Sequence, residues 1–453
     1  MGEQGHVLVI SHDVVGAQMA GPGIRYYHLA RVLAQEFQVI LAVPVEPALK
    51  SHQDFAVLPY HSGKEPALKD AIQQARVVLV PAVHLVSIPP LLNSSVPLVI
   101  DGYDPFVAET LFLQQETSGL QIGLAQAYLA GDFFICASER QRDWWTGILE
   151  AYGRINSHTF DKDPSLRRLV DVVPFGLPEA SPQHTRQVLK GVWPGIGAED
   201  KVILWGGGLW PWLDPLTAIR AMGKVWQQRQ DVRLIFPGTR HPNPGMEGIP
   251  THNEAAFQMA QELGLLDSAV FFGEWVPYDD WPNVLLESDI ALTLHYDTLE
   301  TRLAFRSRVL DYAWVGLPVV ATRGDATSEL IARHEMGVLV DYEDVGGVSG
   351  AILRLLETPQ STFGGRFEKA RRELTWERTA RPLVEFCRDP RLSPDRVAMG
   401  SELGNPFYVD AVNRLTLERD GWRDSVKRYE RGRFIRFMRW IHRAGQKVQW
   451  GAK

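Results

Sequence analysis

The chain has little cysteine and no long apolar run, and each of these absences argues against one class of protein. Only two of its 453 residues are cysteine, Cys136 and Cys387, which is too few for a disulfide framework and favours a reducing compartment. No run of about 18 apolar residues occurs, so no membrane-spanning helix is predicted. The N-terminus enters a strand pattern directly, so we expect no signal peptide. These features predict a cytoplasmic protein.

An excess of positive charge is also missing. The formal net charge is -7, which gives no reason to expect nucleic acid as a partner. The hydrophobic content of 45% and the charged content of 22% are typical of a soluble globular protein. A chain of 453 residues is too long for one ordinary core, so its length predicts two or three domains.

Short apolar strands alternate with helical segments along most of the chain, which predicts an α/β fold with parallel sheets covered on both faces. The predicted strands are residues 6–11, 38–44, 55–59, 77–81, 98–101, 133–137, 170–176, 201–205, 232–236, 270–273, 290–294, 318–322 and 337–340. Between residues 177 and 200 the composition shifts to Pro, Gly, Ser and Ala, which is typical of a linker between domains. We therefore predict a first domain (1–180), a linker (181–200), a second domain (201–363), a closing helix (364–390) and a basic helical tail (391–453).

The stretch 289–324 has the pattern strand, polar turn, helix, strand. The predicted helix covers residues 303–314 and ends at Gly316 and Pro318. In such units the loop after the strand and the start of the helix face the ligand. The charged residues at that place are Glu300, Arg302, Arg306, Arg308 and Asp311. Guanidinium groups beside carboxylates suit a ligand with phosphates and sugar hydroxyls, and a solvated helix face is the alternative.

The run from Leu310 to Val320, LDYAWVGLPVV, resembles the family 4 glycosyltransferases of GT-B fold. The resemblance implies two Rossmann-like domains facing across a cleft, with residues 364–390 returning to the first domain. It also implies transfer of a sugar, with retention, from a nucleotide-diphosphate sugar. The family's ribose-binding glutamate corresponds to Asp311. A second family glutamate, near the transferred sugar, corresponds to Leu303, so Glu300 is the candidate for that role.

Basic residues for the donor phosphates are assigned on the same resemblance. Arg306 and Arg308 are the candidates on the second domain. A glycine-rich loop with Gly21 and Gly23 opens the first helix of the first domain, just before Arg25. Glycines let a backbone approach a ligand closely, and a helix N-terminus favours anions. The resemblance implies that this loop borders the donor phosphates, and a tight turn alone is the alternative.

A second glycine loop follows the first strand of the second domain. Gly207 and Gly208 have no side chain to block a ligand, so their N–H groups are predicted to bind the diphosphate. The family usually continues with Gly-Arg and, later, Lys-Gly. Here Leu209, Trp210 and Trp212 occupy the loop instead, which shifts the predicted phosphate contacts to the arginines.

Other candidate site residues follow the ends of predicted strands. The resemblance implies that a histidine after the fourth strand meets the donor sugar, and His84 is that candidate; a structural histidine is the alternative. Asp101 and Asp104 follow the next strand and are candidates for the acceptor side, with a turn residue as the alternative for Asp104. The resemblance also places Trp275 or Val276 at the nucleobase.

The tail differs from the rest of the chain. Lys and Arg dominate residues 423–453, and Phe434, Phe437, Met438 and Ile441 fall on one face of a predicted helix. This pattern is typical of a helix lying on an anionic membrane surface, which would place the protein at the inner membrane face. A helix docked on an acidic face of the enzyme, or on a second copy, is the alternative.

Three functions remain open on the sequence. The first is a glycosyltransferase acting on a glycan or lipid-linked acceptor, without a cofactor and without a metal, because no His/Cys cluster suggests a metal site. The second is a sugar-nucleotide epimerase-like enzyme that uses carboxylates in the cleft, for which Asp101, Asp104, Glu109 and Glu300 are available. The third is a non-catalytic nucleotide- or glycan-binding protein, which the departures at Leu303 and in the second glycine loop keep open.

Overall fold

The chain forms two parallel β-sheets, each at the centre of its own domain. The computed structural model describes residues 5–44, 49–92, 94–400 and 406–431. The strands of the first sheet are β1 (Val7–Ile10), β2 (Val39–Pro44), β3 (Ala56–Tyr60), β4 (Val77–Pro81), β5 (Leu98–Asp101), β6 (Phe133–Cys136) and β7 (Val170–Val172). Their order is β3-β2-β1-β4-β5-β6-β7. Their apolar runs are mostly buried, because helices cover both faces of the sheet.

The second sheet repeats this design with fewer strands. They are β8 (Lys201–Trp205), β9 (Val232–Pro237), β10 (Val270–Gly273), β11 (Ile290–Thr293), β12 (Val319–Thr322) and β13 (Gly337–Val340). Their order is β10-β9-β8-β11-β12-β13, and neighbouring strands pair in parallel. The predicted α/β fold with two Rossmann-like domains is thus confirmed. Residues 173–200 run between the two sheets and contain the predicted linker.

Helices connect the strands and pack on the sheets. In the first domain they are α1 (Gly21–Ala34), α2 (Pro66–Gln74), α3 (Pro89–Leu92), α4 (Phe106–Phe112), α5 (Ser118–Ala130), α6 (Glu139–Ala151) and α7 (Ser157–Phe160). In the second they are α8 (Pro215–Trp226), α9 (Asn253–Glu262), α10 (Trp281–Leu286), α11 (Leu299–Leu303), α12 (Arg308–Val315), α13 (Ala326–His334) and α14 (Val345–Glu357).

The single helix predicted at 303–314 is wrong. Helix α11 ends at Leu303, the chain is extended at Ala304, and α12 starts only at Arg308. A contact outside the helix explains the break. The Arg306 side chain reaches back to Glu300 and binds it with both terminal nitrogens, at 2.7 and 2.6 Å. An interaction of this kind overrides the local helix preference of the segment.

The end of the chain returns to the first domain through several helices rather than one. These are α15 (Gly364–Glu373), α16 (Trp376–Thr379), α17 (Arg381–Arg388) and α18 (Pro394–Met399). The buried Trp376 ring stacks on His28 of α1 at 4.9 Å. Asp395 forms a fully buried ion pair with Arg154, at 2.6 Å. The returning segment therefore ties the second domain to the first.

The predicted tail, residues 391–453, starts with α18, which packs on the first domain through Asp395, and continues in a long helix, α19 (Pro406–Arg431), on which Arg423, Lys427 and Arg428 are exposed. Phe434, Phe437, Met438 and Ile441, which carry the predicted apolar face, lie outside the described residues. No helix in the described part of the chain is long and apolar enough to cross a membrane.

Candidate functional site

A cavity of about 360 Å³ lies between the two domains, where strands of both sheets end at their carboxyl sides. This is where ligands bind in open parallel sheets. The first domain contributes His12, Asp13, Gly21, Tyr103, Asp104, Phe106 and Glu109 to its wall. The second domain contributes Gly207, Gly208, Trp210, Trp275, Val276, Trp281, Arg306, Arg308 and Asp311.

Arg306 lines the cavity, but its charge is already offset. Its terminal nitrogens donate to both oxygens of Glu300, whose side chain is fully buried. Asp325 adds a longer contact, 3.9 Å from Nε of Arg306. Burial lowers the pKa of Arg306, yet the Glu300 carboxylate outweighs that effect and raises it overall. Glu300 does not line this cavity, so it acts through Arg306, and its predicted catalytic role stays untested.

Arg308 provides a cation with unused hydrogen-bonding capacity on the same wall. Its buried Nη1 has no hydrogen-bond partner among the described residues. Burial lowers its pKa, as expected for a guanidinium without a close carboxylate partner. The Arg308 side chain lies against Gly207, where an added Cβ would come within 2.9 Å of Nη2. A ligand phosphate would satisfy both the free N–H and the charge.

Asp311 adds a carboxylate to the second-domain wall. It lies at the fourth position of α12 and accepts a hydrogen bond from the indole N–H of Trp281, at 3.0 Å. Burial raises the pKa of Asp311 to about 6. A carboxylate that keeps one oxygen free can accept hydrogen bonds from vicinal hydroxyls, which is what its predicted ribose contact requires.

The first-domain wall is acidic and holds an unsatisfied polar atom. Burial raises the pKa of Asp104 to about 7. Burial, followed by repulsion from Asp104 and Glu300, raises the pKa of Glu109 well above its usual range. Nδ1 of His12 is buried without a hydrogen-bond partner among the described residues. Such orphaned groups are costly, so this wall is suited to a ligand with several hydroxyls.

Arg25 and Asp101, predicted to contact the ligand, do not line the cavity. The two side chains are fully buried and bind each other, with Arg25 Nε 2.6 Å and Nη2 2.9 Å from the carboxylate oxygens. Arg25 also donates to the carbonyl of Val173. The pair thus links α1, β5 and the end of β7 inside the first domain. Sequence reasoning could not detect this because the partners are 76 residues apart.

The two glycines before Arg25 have different surroundings. Gly21 lines the cavity at the start of α1, as does Pro22. Gly23 is buried, and an added Cβ would lie 2.1 Å from the carbonyl oxygen of Val14. Gly23 therefore serves the packing of the loop against the helix, and only Gly21 borders the ligand space.

His84 lies behind the cavity wall rather than on it. Its Nε2 is 2.7 Å from the hydroxyl of Tyr60, and burial lowers its pKa to about 4. Its ring is 6.2 Å from that of His12, which does line the cavity. The sequence analysis missed His12, although its position directly after β1 could have identified it.

Trp275 and Val276 line the cavity where the second domain touches the first. The indole N–H of Trp275 donates to the carbonyl of Met19, and Gln18 donates to the carbonyl of Trp275, both at 3.1 Å. Nearby, Asn243 donates to Asp13 at 2.7 Å. These hydrogen bonds close one side of the cavity. The nucleobase contact itself stays a prediction.

Aromatic rings take the place of the basic residues that the family pattern has after the second glycine loop. Trp210 and Trp212 stack at 5.5 Å, and both line the cavity beside Gly208. The Phe112 ring of α4 is 6.3 Å from Trp212, on the opposite domain. No cluster of three or more His, Cys, Asp or Glu side chains placed to hold a metal occurs among the described residues.

Comparison with known proteins agrees with this arrangement. Residues 200–358 match the family model for glycosyl transferases group 1. A D-inositol 3-phosphate glycosyltransferase of Acidothermus cellulolyticus is 30% identical over 168 residues, which are 36% of this chain and 35% of that protein. The putative glycosyltransferase YtcC of Bacillus subtilis is 24% identical over 181 residues, 39% of this chain and 42% of that protein. The matches thus span less than half of these relatives.

Solved structures extend the likeness to both domains. Anabaena HepE in complex with UDP and glucose has a TM-score of 0.63 at 14% identity, covering 85% of this chain and 100% of that one. At this identity the match shows the fold alone, which is the two-domain GT-B fold. The chain therefore has the two-domain GT-B fold, and its second domain is similar to the glycosyl transferases group 1 family over residues 200–358.

Proposed function

We propose that the protein is a glycosyltransferase that moves a sugar from a nucleotide-diphosphate sugar to a glycan or lipid-linked acceptor. The donor would lie along the second-domain wall of the cavity, with its diphosphate at Arg308, Arg306 and the glycine loop. The nucleoside would extend towards Asp311 and Trp275. The acceptor hydroxyl would approach from the first-domain wall, beside Asp104.

The observation that carries this proposal is the position of Arg308. It lies between Gly207 and Asp311, a carboxylate suited to ribose, and its buried Nη1 has no hydrogen-bond partner in the part of the chain that the structure describes. The departing nucleotide diphosphate gains negative charge as the bond to the sugar breaks, and fixed guanidinium donors stabilise that charge. Because guanidinium groups can supply this stabilisation, we propose that transfer needs neither a bound metal nor a cofactor. Retention of configuration is proposed on the family resemblance.

The donor base is proposed from the fold relatives. HepE was solved with UDP and glucose, so UDP-sugars are the first donors to test. The test is a thermal-shift and calorimetric screen of UDP-, GDP-, ADP- and dTDP-sugars on the wild type and Asp311→Asn, with EDTA present. One nucleotide should bind the wild type and bind the variant at least tenfold more weakly. Equal binding by both proteins would remove the proposed donor site.

An epimerase-like reaction is the second candidate, because two carboxyl groups with raised pKa, Asp104 and Glu109, share the first-domain wall. Such groups can exchange protons with a sugar near neutral pH. The two functions differ in their need for an acceptor. Conversion of the nucleotide-sugar without an acceptor would favour the epimerase-like reaction over transfer.

Membrane contact through the tail remains a proposal. It is supported by the exposed Arg423, Lys427 and Arg428 of α19 and by the sequence pattern that follows them. Flotation with anionic liposomes should be lost when the chain is ended at residue 400, which removes α19 and the residues after it but keeps α18 and the buried Arg154–Asp395 pair. Undiminished flotation of that shorter chain would exclude residues 401–453 as the contact.

A further inference from the structure

A second cavity adjoins the first and has a different character. This apolar groove, of about 470 Å³, lies between α4, α5 and α6 of the first domain and α11 of the second. Its wall is mainly hydrocarbon and includes Leu111, Trp144, Trp145, Leu299 and Leu303. A volume of this size is in the range of ligand pockets.

The groove and the candidate active site share wall residues at the start of α4. Asp104 and Phe106 line both cavities, so the two spaces meet at the start of α4. Among the described residues, none in α4 is fully buried, because one side of this short helix faces the polar cavity and the other faces the groove. A ligand lying in the groove would therefore reach the acidic first-domain wall with its polar end.

The groove also accounts for Leu303, where the family pattern has a glutamate. Leu303 lines the groove together with Leu299, one helical turn earlier on α11. A carboxylate at this position would face hydrocarbon and be costly to ionise. The backbone of Leu303 is held against the first domain, because Gln141 Nε2 donates to its carbonyl at 2.8 Å and to that of Tyr103 at 2.6 Å.

Large apolar side chains remain exposed at the mouth of the groove. The exposed fraction is 60% for Leu111, 53% for Leu299 and 46% for Trp144. Isolated exposed leucines are ordinary, but exposed apolar residues that border an apolar groove indicate a binding surface. Glu300 also borders the groove, but both of its carboxylate oxygens accept hydrogen bonds from Arg306.

From these contacts we infer that the groove holds the hydrocarbon chain of an amphiphilic acceptor, whose hydroxyl group reaches the cavity beside Asp104. The inference rests on the proposed function for the reacting hydroxyl, and it narrows the acceptor class to molecules with an alkyl or prenyl chain close to the reacting sugar. A free soluble glycan would leave the groove empty. Chain binding itself requires only the groove, so it can be measured without a donor.

The test uses n-alkyl β-glucosides as probes, below their micelle concentrations, with the full chain and no nucleotide. Methyl, hexyl and octyl glucosides are compared by calorimetry. Each methylene that enters the groove should strengthen binding about fourfold, the equivalent of its transfer free energy out of water. Equal affinity for the methyl and octyl glucosides would overturn the inference.

A double variant tests whether the octyl glucoside binds in the groove. Leu111→Ser combined with Leu299→Ser should weaken octyl glucoside binding at least tenfold and leave the melting temperature nearly unchanged, because both side chains are exposed. Leu263→Ser is the matched control, since this leucine is 49% exposed and borders neither cavity. An equal loss in the control would also overturn the inference.

Nucleotide-sugar binding is measured on the same proteins and should be unaffected by the double change. Failure of the donor site would appear in that second measurement alone. The inference about the groove and the proposed function can therefore fail separately.

Discussion

Glu300 and Arg306 form a buried bidentate ion pair, with nitrogen–oxygen distances of 2.7 and 2.6 Å, in the break between α11 and α12. The pair fixes the guanidinium at the cavity wall, but it uses most of the charge that a diphosphate would need. We infer that Glu300 positions the Arg306 guanidinium, while its predicted contact with the transferred sugar stays a prediction.

Replacing Glu300 tests that assignment. Glu300→Gln leaves the buried guanidinium without its counter-ion, and losing one partner of such a pair costs about 3–5 kcal/mol. We expect a matching fall in the free energy of unfolding, measured with urea. The matched control is Glu329→Gln, because Glu329 is exposed and pairs with Arg140. A stable Glu300→Gln protein that has lost only turnover would instead indicate a catalytic contact.

The sequence alone predicted those parts of the fold and the site that depend on residues close together in the chain. Most predicted strands agree with the structure within one or two residues, because short apolar runs and their turn signals are local. The cluster at Arg306, Arg308 and Asp311 follows from one strand–loop–helix unit, and all three side chains line the cavity.

The predictions failed where distant residues decide the outcome. The carboxylate that captures Arg25 belongs to a strand 76 residues away, and the hydroxyl that binds His84 lies on Tyr60 of a different strand. The break at Ala304 depends on where Arg306 points, which no helix propensity encodes. The apolar groove was missed because it exists only when α11 packs against α4 and α6 of the other domain.

Arg308 is expected to be the strongest single contact to the donor diphosphate. A hydrogen bond to a charged group contributes about 1.5–3 kcal/mol, so Arg308→Gln should weaken nucleotide-sugar binding by roughly 10- to 150-fold. The melting temperature should not fall, because the half-buried Arg308 side chain forms no ion pair with any described residue. Calorimetry with the best nucleotide-sugar provides the measurement. The control Arg302→Gln removes an exposed arginine of α11, and an equal loss of affinity there would contradict the assignment.

Donor binding should depend on pH through Asp311. Its pKa is raised to about 6, so the carboxylate that accepts hydroxyl hydrogen bonds is lost as the pH falls below 6. We expect the wild-type affinity for the nucleotide to rise between pH 5 and pH 7. Asp311→Asn should bind weakly and show no such rise. A wild-type profile that is flat across this range would contradict the ribose contact.

Ionisation of Asp311, which should strengthen donor binding, should lower the stability of the fold. Because the folded-state pKa exceeds the ordinary value of 3.8, the native state binds the proton more tightly than the unfolded state. Stability conferred by this carboxyl is therefore present at low pH and is lost as the pH rises from 3.8 to about 6. Asp311→Asn should reduce the decline in melting temperature over that range, while Asp341→Asn, at an exposed site, should not.

Gly207 should tolerate no side chain. Its φ angle of +99° is unfavourable for other residues, and an added Cβ would lie 2.9 Å from Nη2 of Arg308. Gly207→Ala should therefore lower the melting temperature and also displace the guanidinium that holds the diphosphate, so nucleotide affinity should fall as well. Gly350→Ala is the matched control, because this glycine lies in α14 with open space around it, and alanine is favoured over glycine in a helix by about 1 kcal/mol. The control should be as stable as the wild type or more so, with unchanged affinity. If Gly207→Ala kept full nucleotide affinity, the close approach of the glycine loop to Arg308 could not be part of the donor site.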